Sequence, residues 1–179
     1  MDIQSKAKHL LLAATLAIGA SQTASAQGLP GGATALNETH GDWTVGCQSA
    51  EAVTRCSLSQ TQVRNENRQR VLTVELIVGD NGETAQGTLV LPFGLRLADG
   101  VNLVLDENTQ IAAARFSTCV PAGCLVPLSF DAAATSALRA GSTLGIKAIT
   151  NDTGQEFVLS ISLHGFTAAL ARSVELTRQ

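Results

Sequence analysis

Apolar and polar residues alternate with a period of two along most of this chain, the pattern of half-buried β-strands. Over residues 42–47 the alternation places Trp43, Val45 and Cys47 on one face. Residues 55–63 repeat it, with Cys56 and Leu58 inward, and residues 71–78 form a β-branched strand with Leu72, Val74, Leu76 and Val78 facing one way. The wholly polar run 64–70 between them predicts a solvated connection. Gly79-Asp80-Asn81-Gly82 predicts a turn, and the short strand 88–91 stops at Pro92, which has no N–H for a central ladder.

Two hairpins stand out in the second half. Asp99-Gly100, flanked by apolar runs 95–98 and 101–105, predicts a two-residue turn whose twist suits paired strands. After the turn residues Asp106-Glu107-Asn108, residues 110–119 lead into a second hairpin, and its tip Val120-Pro121-Ala122-Gly123 is enclosed by Cys119 and Cys124. Asp131 is a predicted N-cap for a helix of at most two turns over the Ala-rich run 132–138, which Gly141 stops. Strands then follow over 143–150 and 156–163, and residues 166–172 predict a short closing helix with Phe166, Ala169 and Leu170 on one face. About ten short strands without long intervening helices exclude a doubly wound parallel sheet and predict an all-β sandwich or barrel.

The first segment lies outside that pattern. Lys6 and Lys8 precede an apolar run over residues 10–20, and Ala24-Ser25-Ala26 supplies a small-residue cleavage site. This is the layout of a secretory signal peptide, with an apolar run too short to span a bilayer. The predicted organisation is a signal peptide at 1–26, a loose Gly/Ala/Thr-rich arm at 27–40, the β domain at 41–173 and a tail at 174–179. The mature chain then carries a net charge of −4. That balance is opposed to a nucleic-acid surface, and no transmembrane span remains after cleavage.

All four cysteines fall in the exported part, where an even count favours disulfides. Neighbouring pairing, Cys47 with Cys56 and Cys119 with Cys124, is the simplest of the three connectivities. A four-thiolate zinc site is the competing reading, although its ligands usually come as two close C-x-x-C pairs.

Catalysis has little to draw on. The mature chain holds two histidines, His40 and His164, and no tyrosine, and it lacks nucleophile-elbow, zinc-protease, phosphate-loop and calcium-loop motifs. Asp99, Asp106 and Glu107 would suit a hard cation if their loops converged, but turn chemistry already accounts for each of them. Trp43, the single tryptophan, reads as a core anchor near the first disulfide. No cofactor is implied.

Four blocks in order carry a family resemblance: W-T-V-G-C from Trp43, L-V-L-P-F-G-L-R-L-A-D-G-V from Leu89, R-F-S-T-C-V-P-A-G-C-L from Arg115, and S-L-H-G-F-T-A-A-L from Ser162. With both cysteine pairs, they resemble the invasion associated locus B family of exported bacterial proteins. The resemblance implies a periplasmic, secreted or surface-associated sandwich of immunoglobulin-like architecture with local disulfides at Cys47, Cys56, Cys119 and Cys124. It transfers no catalytic or ligand-binding residue. The expected function is a non-enzymatic envelope binding module with a protein partner in the envelope or on a host surface. Two alternatives are an enzyme inhibitor acting through the Cys119–Cys124 loop and a carrier of apolar ligands. The candidate contact loop is Val120, Pro121, Ala122 and Gly123.

Overall fold

Eleven strands and two helices form among the residues that the computed structural model describes, 28–178 apart from 52, 65 and 67. The proposed signal peptide lies outside them. Strands β1 (Ala35–His40), β2 (Trp43–Ala50), β3 (Val53–Val63), β4 (Arg70–Val78) and β5 (Ala85–Leu91) pair in sequence as an antiparallel meander. β6 (Val101–Leu105) and β7 (Thr109–Ala114) belong to a second sheet. β8 (Thr118–Val120) and β9 (Gly123–Phe130) return to the first, and the helix α1 (Ala132–Ala140) leads to the hairpin β10 (Thr143–Ile149) and β11 (Glu156–Ser162). The large sheet runs β1-β2-β3-β4-β5-β9-β8 and the small one β11-β10-β6-β7. The chain is therefore the expected two-sheet, all-β sandwich.

The alternation read from the sequence sets the core. Trp43, Val45 and Cys47 of β2, Cys56 and Leu58 of β3, and Leu72, Val74 and Leu76 of β4 are all buried. They meet Leu103, Leu144, Ile146 and Ile161 of the small sheet in one cluster. The helix α2 (Phe166–Thr177) lies on β1, β2 and β3. The expected cap of α1 forms too: the Asp131 carboxylate accepts the Ala134 N–H at 2.8 Å, and the Gly141 N–H donates to the Ala137 carbonyl. Among the described residues no helix is long and apolar enough to cross a membrane.

Three local expectations are corrected and one is refined. Residues 35–40, expected in a loose arm, form β1 and pair with β2 from Ala35↔Gln48 to His40↔Trp43. Their inward positions are Leu36, Glu38 and His40, so the strand lacks an apolar period, and pairing with β2 decides its structure. The Asp99-Gly100 hairpin is absent. Residues Leu97–Asp99 make a 3-10 turn, Leu95 bridges to Thr150, and Val101 pairs with Ala114 instead. Residues 92–100 are the passage from large sheet to small, so the turn joins no paired strands.

Residues 110–119, expected to lead into the clipped hairpin, do so as two strands, β7 and β8, with the chain crossing between sheets at 115–117. Finally, α2 continues to Thr177 through the expected tail. Ser173, Val174 and Leu176 are buried, and Phe166, Ala169, Leu170, Ser173 and Val174 make one stripe at helical spacing.

Candidate functional site

The two cysteine pairs are joined as neighbours, and they sit in different environments. Cys47 and Cys56 face each other across β2 and β3, with Cα atoms 4.1 Å apart, inside the core cluster. Cys119 and Cys124 link β8 to β9, with Cα atoms 3.9 Å apart, at the free edge of the large sheet. Cys124 is buried but lies outside the core cluster, while Cys119 is exposed.

The tip beyond that bond is the clearest projecting feature. Val120 pairs with Gly123, leaving Pro121 and Ala122 as the turn, and Val120, Pro121 and Ala122 are all exposed. Gly123 is required by its setting. Its φ is +138°, and a Cβ there would overlap the Leu91 carbonyl oxygen and come within 2.9 Å of Val90 Cγ1. This close approach seats the tip against the end of β5, whose last residue, Leu91, pairs with Cys124. The chain leaving β5 there carries Phe93, 60% exposed, and then Leu97, 43% exposed. Val120, Pro121 and Ala122 are thus presented to solvent on a tip locked by one disulfide, one proline and the neighbouring backbone.

The sites weighed for chemistry serve structure. His164 is 79% exposed, with Nδ1 3.8 Å from the Asp42 carboxylate, itself half exposed. Its carbonyl accepts the Asp42 N–H at 3.1 Å, which ties the Leu163–Phe166 turn to the β1–β2 turn. The Asp106 carboxylate accepts the Ser142 and Thr143 N–H groups at 3.0 and 2.9 Å, pinning the start of β10, and Asp99 pairs with Arg96 at 3.4 Å. Glu107 continues the β6–β7 turn with a left-handed φ of 71°. These carboxylates do not converge.

Sequence reasoning missed the polar seam between the sheets. Gln60 is buried, and its amide reproduces a backbone pair with Ser162: Nε2 donates to the Ser162 carbonyl at 3.0 Å, and Oε1 accepts the Ser162 N–H at 3.2 Å. The Trp43 indole donates to the same carbonyl at 2.8 Å, and Gln62 donates to the Ser160 carbonyl at 2.5 Å. Side chains of the large sheet thereby satisfy the free edge of β11. The alternation did mark Gln60 as inward, and an inward amide between Leu58 and a polar loop was the available signal.

A second missed element fixes α2. The Arg172 guanidinium donates to both Glu38 oxygens at 2.8 Å and pairs with Glu175 at 3.0 Å, while His40 Nε2 lies 3.4 Å from Glu38. The Arg172 hydrogen bonds hold the Glu38 carboxyl below its ordinary value of 4.5. A lowered carboxyl stabilises the fold above that ordinary value, and the contribution fades as pH falls through the lowered one. Arg172→Ala should therefore melt at a lower temperature than the parent near neutrality. That difference should shrink as pH falls below the ordinary carboxyl value, a trend that thermal melts across pH will read.

A depression of about 370 Å³ crosses the outer face of the large sheet, lined by Asn37, Gly46, Gln48, Arg55, Ser57 and Glu75 among others. Another of about 340 Å³ opens between β7 and β9, beside Ala112, Ala114, Pro127 and Leu128. Among the described residues, neither Ser57 in the first nor Ser129 in the second is hydrogen-bonded to a carboxylate or a histidine. Among the described residues no group of histidine, cysteine and carboxylate side chains is placed to hold a metal.

Comparison with known proteins bears on what this arrangement belongs to. Residues 43–174 match the model of the invasion associated locus B (IalB) protein family. An invasion protein B homolog of Brucella abortus strain 2308 is 44% identical over 167 residues, which cover 93% of this chain and 95% of that protein. Invasion protein B of Bartonella bacilliformis is 33% identical over 84% of this chain and 81% of its own. The crystal structure of invasion associated protein B from Bartonella henselae superposes with a TM-score of 0.73 at 32% identity, covering 80% of this chain and 97% of that one. The four blocks that set the Trp43 anchor, the β5 exit, the clipped tip and the Leu163–Phe166 turn all lie within or overlap the matched span, and on these grounds the chain belongs to the invasion associated locus B family.

Proposed function

We propose that this protein is exported and acts in the cell envelope as a non-enzymatic binding module, with the Cys119–Cys124 tip as its contact surface for a protein partner in the envelope or on a host surface. One observation carries the reading: Val120, Pro121 and Ala122 are exposed on a hairpin whose backbone is already fixed, and an exposed Phe93 follows two residues after Leu91, the partner of Cys124. Exposed apolar side chains on a rigid frame bury area against a partner while losing little conformational freedom. Buried disulfide chemistry and the names of the relatives support an exported setting. The relatives are named for invasion, and a contact surface is what such a role needs.

The non-enzymatic part of the reading draws on the relatives' names and on the structural contacts of the two histidines: His40 lies against Glu38, which Arg172 clamps, and the His164 carbonyl accepts the Asp42 N–H. The apolar-carrier alternative gains no support from an interior filled by Trp43, Leu58, Leu72, Leu89, Leu103, Phe130 and Ile146. The inhibitor alternative uses the same tip and differs only in its partner, a hydrolase whose activity would fall on binding.

Capture from envelope extract tests the proposal. The mature protein should retain a defined partner that the Pro121→Asp, Ala122→Asp variant loses, with both proteins giving the same far-ultraviolet dichroism and melting within about 1 kcal/mol of each other, as exposed substitutions do. Equal capture by the two proteins would remove the tip from the account.

A further inference from the structure

The two disulfides differ in what must move before a thiol can reach them. Cys47 and Cys56 are 2% and 5% exposed and belong to the core cluster, so an attacking thiolate needs the core to open. Cys119 is exposed on β8, a strand of three residues at the outer edge of the large sheet. It ends the row that runs through Leu91 and Cys124, and among the described residues no strand lies beyond it.

We infer that Cys119–Cys124 is a thiol-exchange site, open to a dithiol reductant in the folded protein, and that its cleavage unlocks the tip. The chemistry balances as ordinary exchange. A dithiol's thiolate attacks Sγ of Cys119 and forms a mixed disulfide, and the Cys124 sulfur leaves with the bonding pair and takes a proton from water. The dithiol's second sulfur then displaces Cys119, so the dithiol is oxidised to its disulfide and two protein thiols are produced.

The mechanical consequence follows from how little else holds β8. Besides its pairing with β9 over Thr118↔Leu125 to Val120↔Gly123, the strand has the Ser117 N–H and hydroxyl donating to the Leu125 carbonyl at 2.9 and 3.2 Å. Its own three residues are all exposed and add nothing to the core. A three-residue edge strand of this kind is marginal without its staple. β9 stays in place, since it pairs with β5 over seven positions from Ala85↔Phe130 to Leu91↔Cys124. Regulation of the contact surface by thiols rests on the proposed function above, while exchange and unlocking do not depend on it.

The test uses the mature protein with dithiothreitol as the dithiol, quenched by alkylation and read by peptide mass spectrometry. Cys119 and Cys124 should be alkylated at least about a hundredfold faster than Cys47 and Cys56, because local opening costs far less than global unfolding. Far-ultraviolet dichroism should be unchanged at that stage. Amide hydrogen exchange at residues 118–123 should then rise at least about tenfold, with exchange in β2–β5 unaltered, and a Cys119→Ser, Cys124→Ser variant should show the same local rise without reductant.

Reduction of both bonds together, or only on unfolding, would overturn the exchange site. Selective reduction with exchange at the tip unchanged would overturn the unlocking. Failure of the mature protein to capture any partner would count against the proposed function alone, since alkylation and hydrogen exchange require no partner.

Discussion

Replacing Trp43 with alanine will lower the unfolding free energy by about 3–5 kcal/mol, the usual cost of truncating a fully buried large aromatic. The side chain is 1% exposed, its ring centroid lies 5.1 Å from that of Phe166 at the start of α2, and its indole N–H donates to the Ser162 carbonyl on β11. One residue of the large sheet thus touches both covering layers, the helix and the small sheet. Truncation leaves a cavity at their junction and takes one donor from the polar seam. Trp43→Phe should cost less, about 1–2 kcal/mol, because most of the volume remains and mainly the hydrogen bond is lost. Denaturant unfolding followed by circular dichroism measures both, since Trp43 is the only tryptophan and its removal abolishes the intrinsic fluorescence signal. A loss under about 1 kcal/mol for the alanine variant, the range of a surface change, would show that Trp43 does not join the layers.

The second large effect is expected at Gly165, where even a methyl group has no room. Its φ is +87°, and a Cβ would overlap the His40 carbonyl oxygen and lie 2.9 Å from the Gly41 Cα. The left-handed conformation alone costs an alanine about 1–2 kcal/mol. Displacing the β1–β2 turn adds a packing cost of about 1–3 kcal/mol, so Gly165→Ala should lose roughly 2–5 kcal/mol in total. The damage should be local at first: β1 and the N-terminal turn of α2 lose their mutual contact, and hydrogen exchange should accelerate there before it does in β4 and β5. Exchange rising evenly over all strands would contradict this assignment. The Ser162–Phe166 block is therefore explained by packing, with Gly165 admitting the turn, Phe166 meeting Trp43, and His164 contributing its backbone.

What the sequence revealed follows from how far each signal is local. Alternation in β2, β3 and β4 was legible because one face of each strand is buried and the other solvated, and the Asp131 cap was legible because Asp131, Ala134 and Gly141 lie within one short segment. β1 was hidden because two of its inward residues are Glu38 and His40; Glu38 finds its partner in Arg172, 134 positions away in sequence, and His40 lies against Glu38. The Asp99-Gly100 turn misled for the opposite reason. Its local chemistry suits a hairpin, but Val101 finds its partner in Ala114, and residues 95–98 are used to cross between sheets.

The same contrast applies to the candidate site. The clipped tip was evident from two cysteines around a proline and a glycine, whereas the exposed Phe93, two residues after Leu91, depends for its place on the register that sets Leu91 opposite Cys124. Gln60 shows the limit most plainly. An amide inside an alternating strand reads as an exception until Ser162, 102 residues later, supplies its backbone partner.

The central claim, that the tip is a contact surface, is tested most directly by photo-crosslinking in the native envelope. A photoreactive residue at Ala122 on the tip is compared with one at Gln86, exposed on the outer face of β5. A discrete crosslinked species from position 122, absent from position 86, is the predicted result. No product from position 122, or the same products from both positions, would contradict the claim and leave the disulfide as a clasp that only protects the hairpin end.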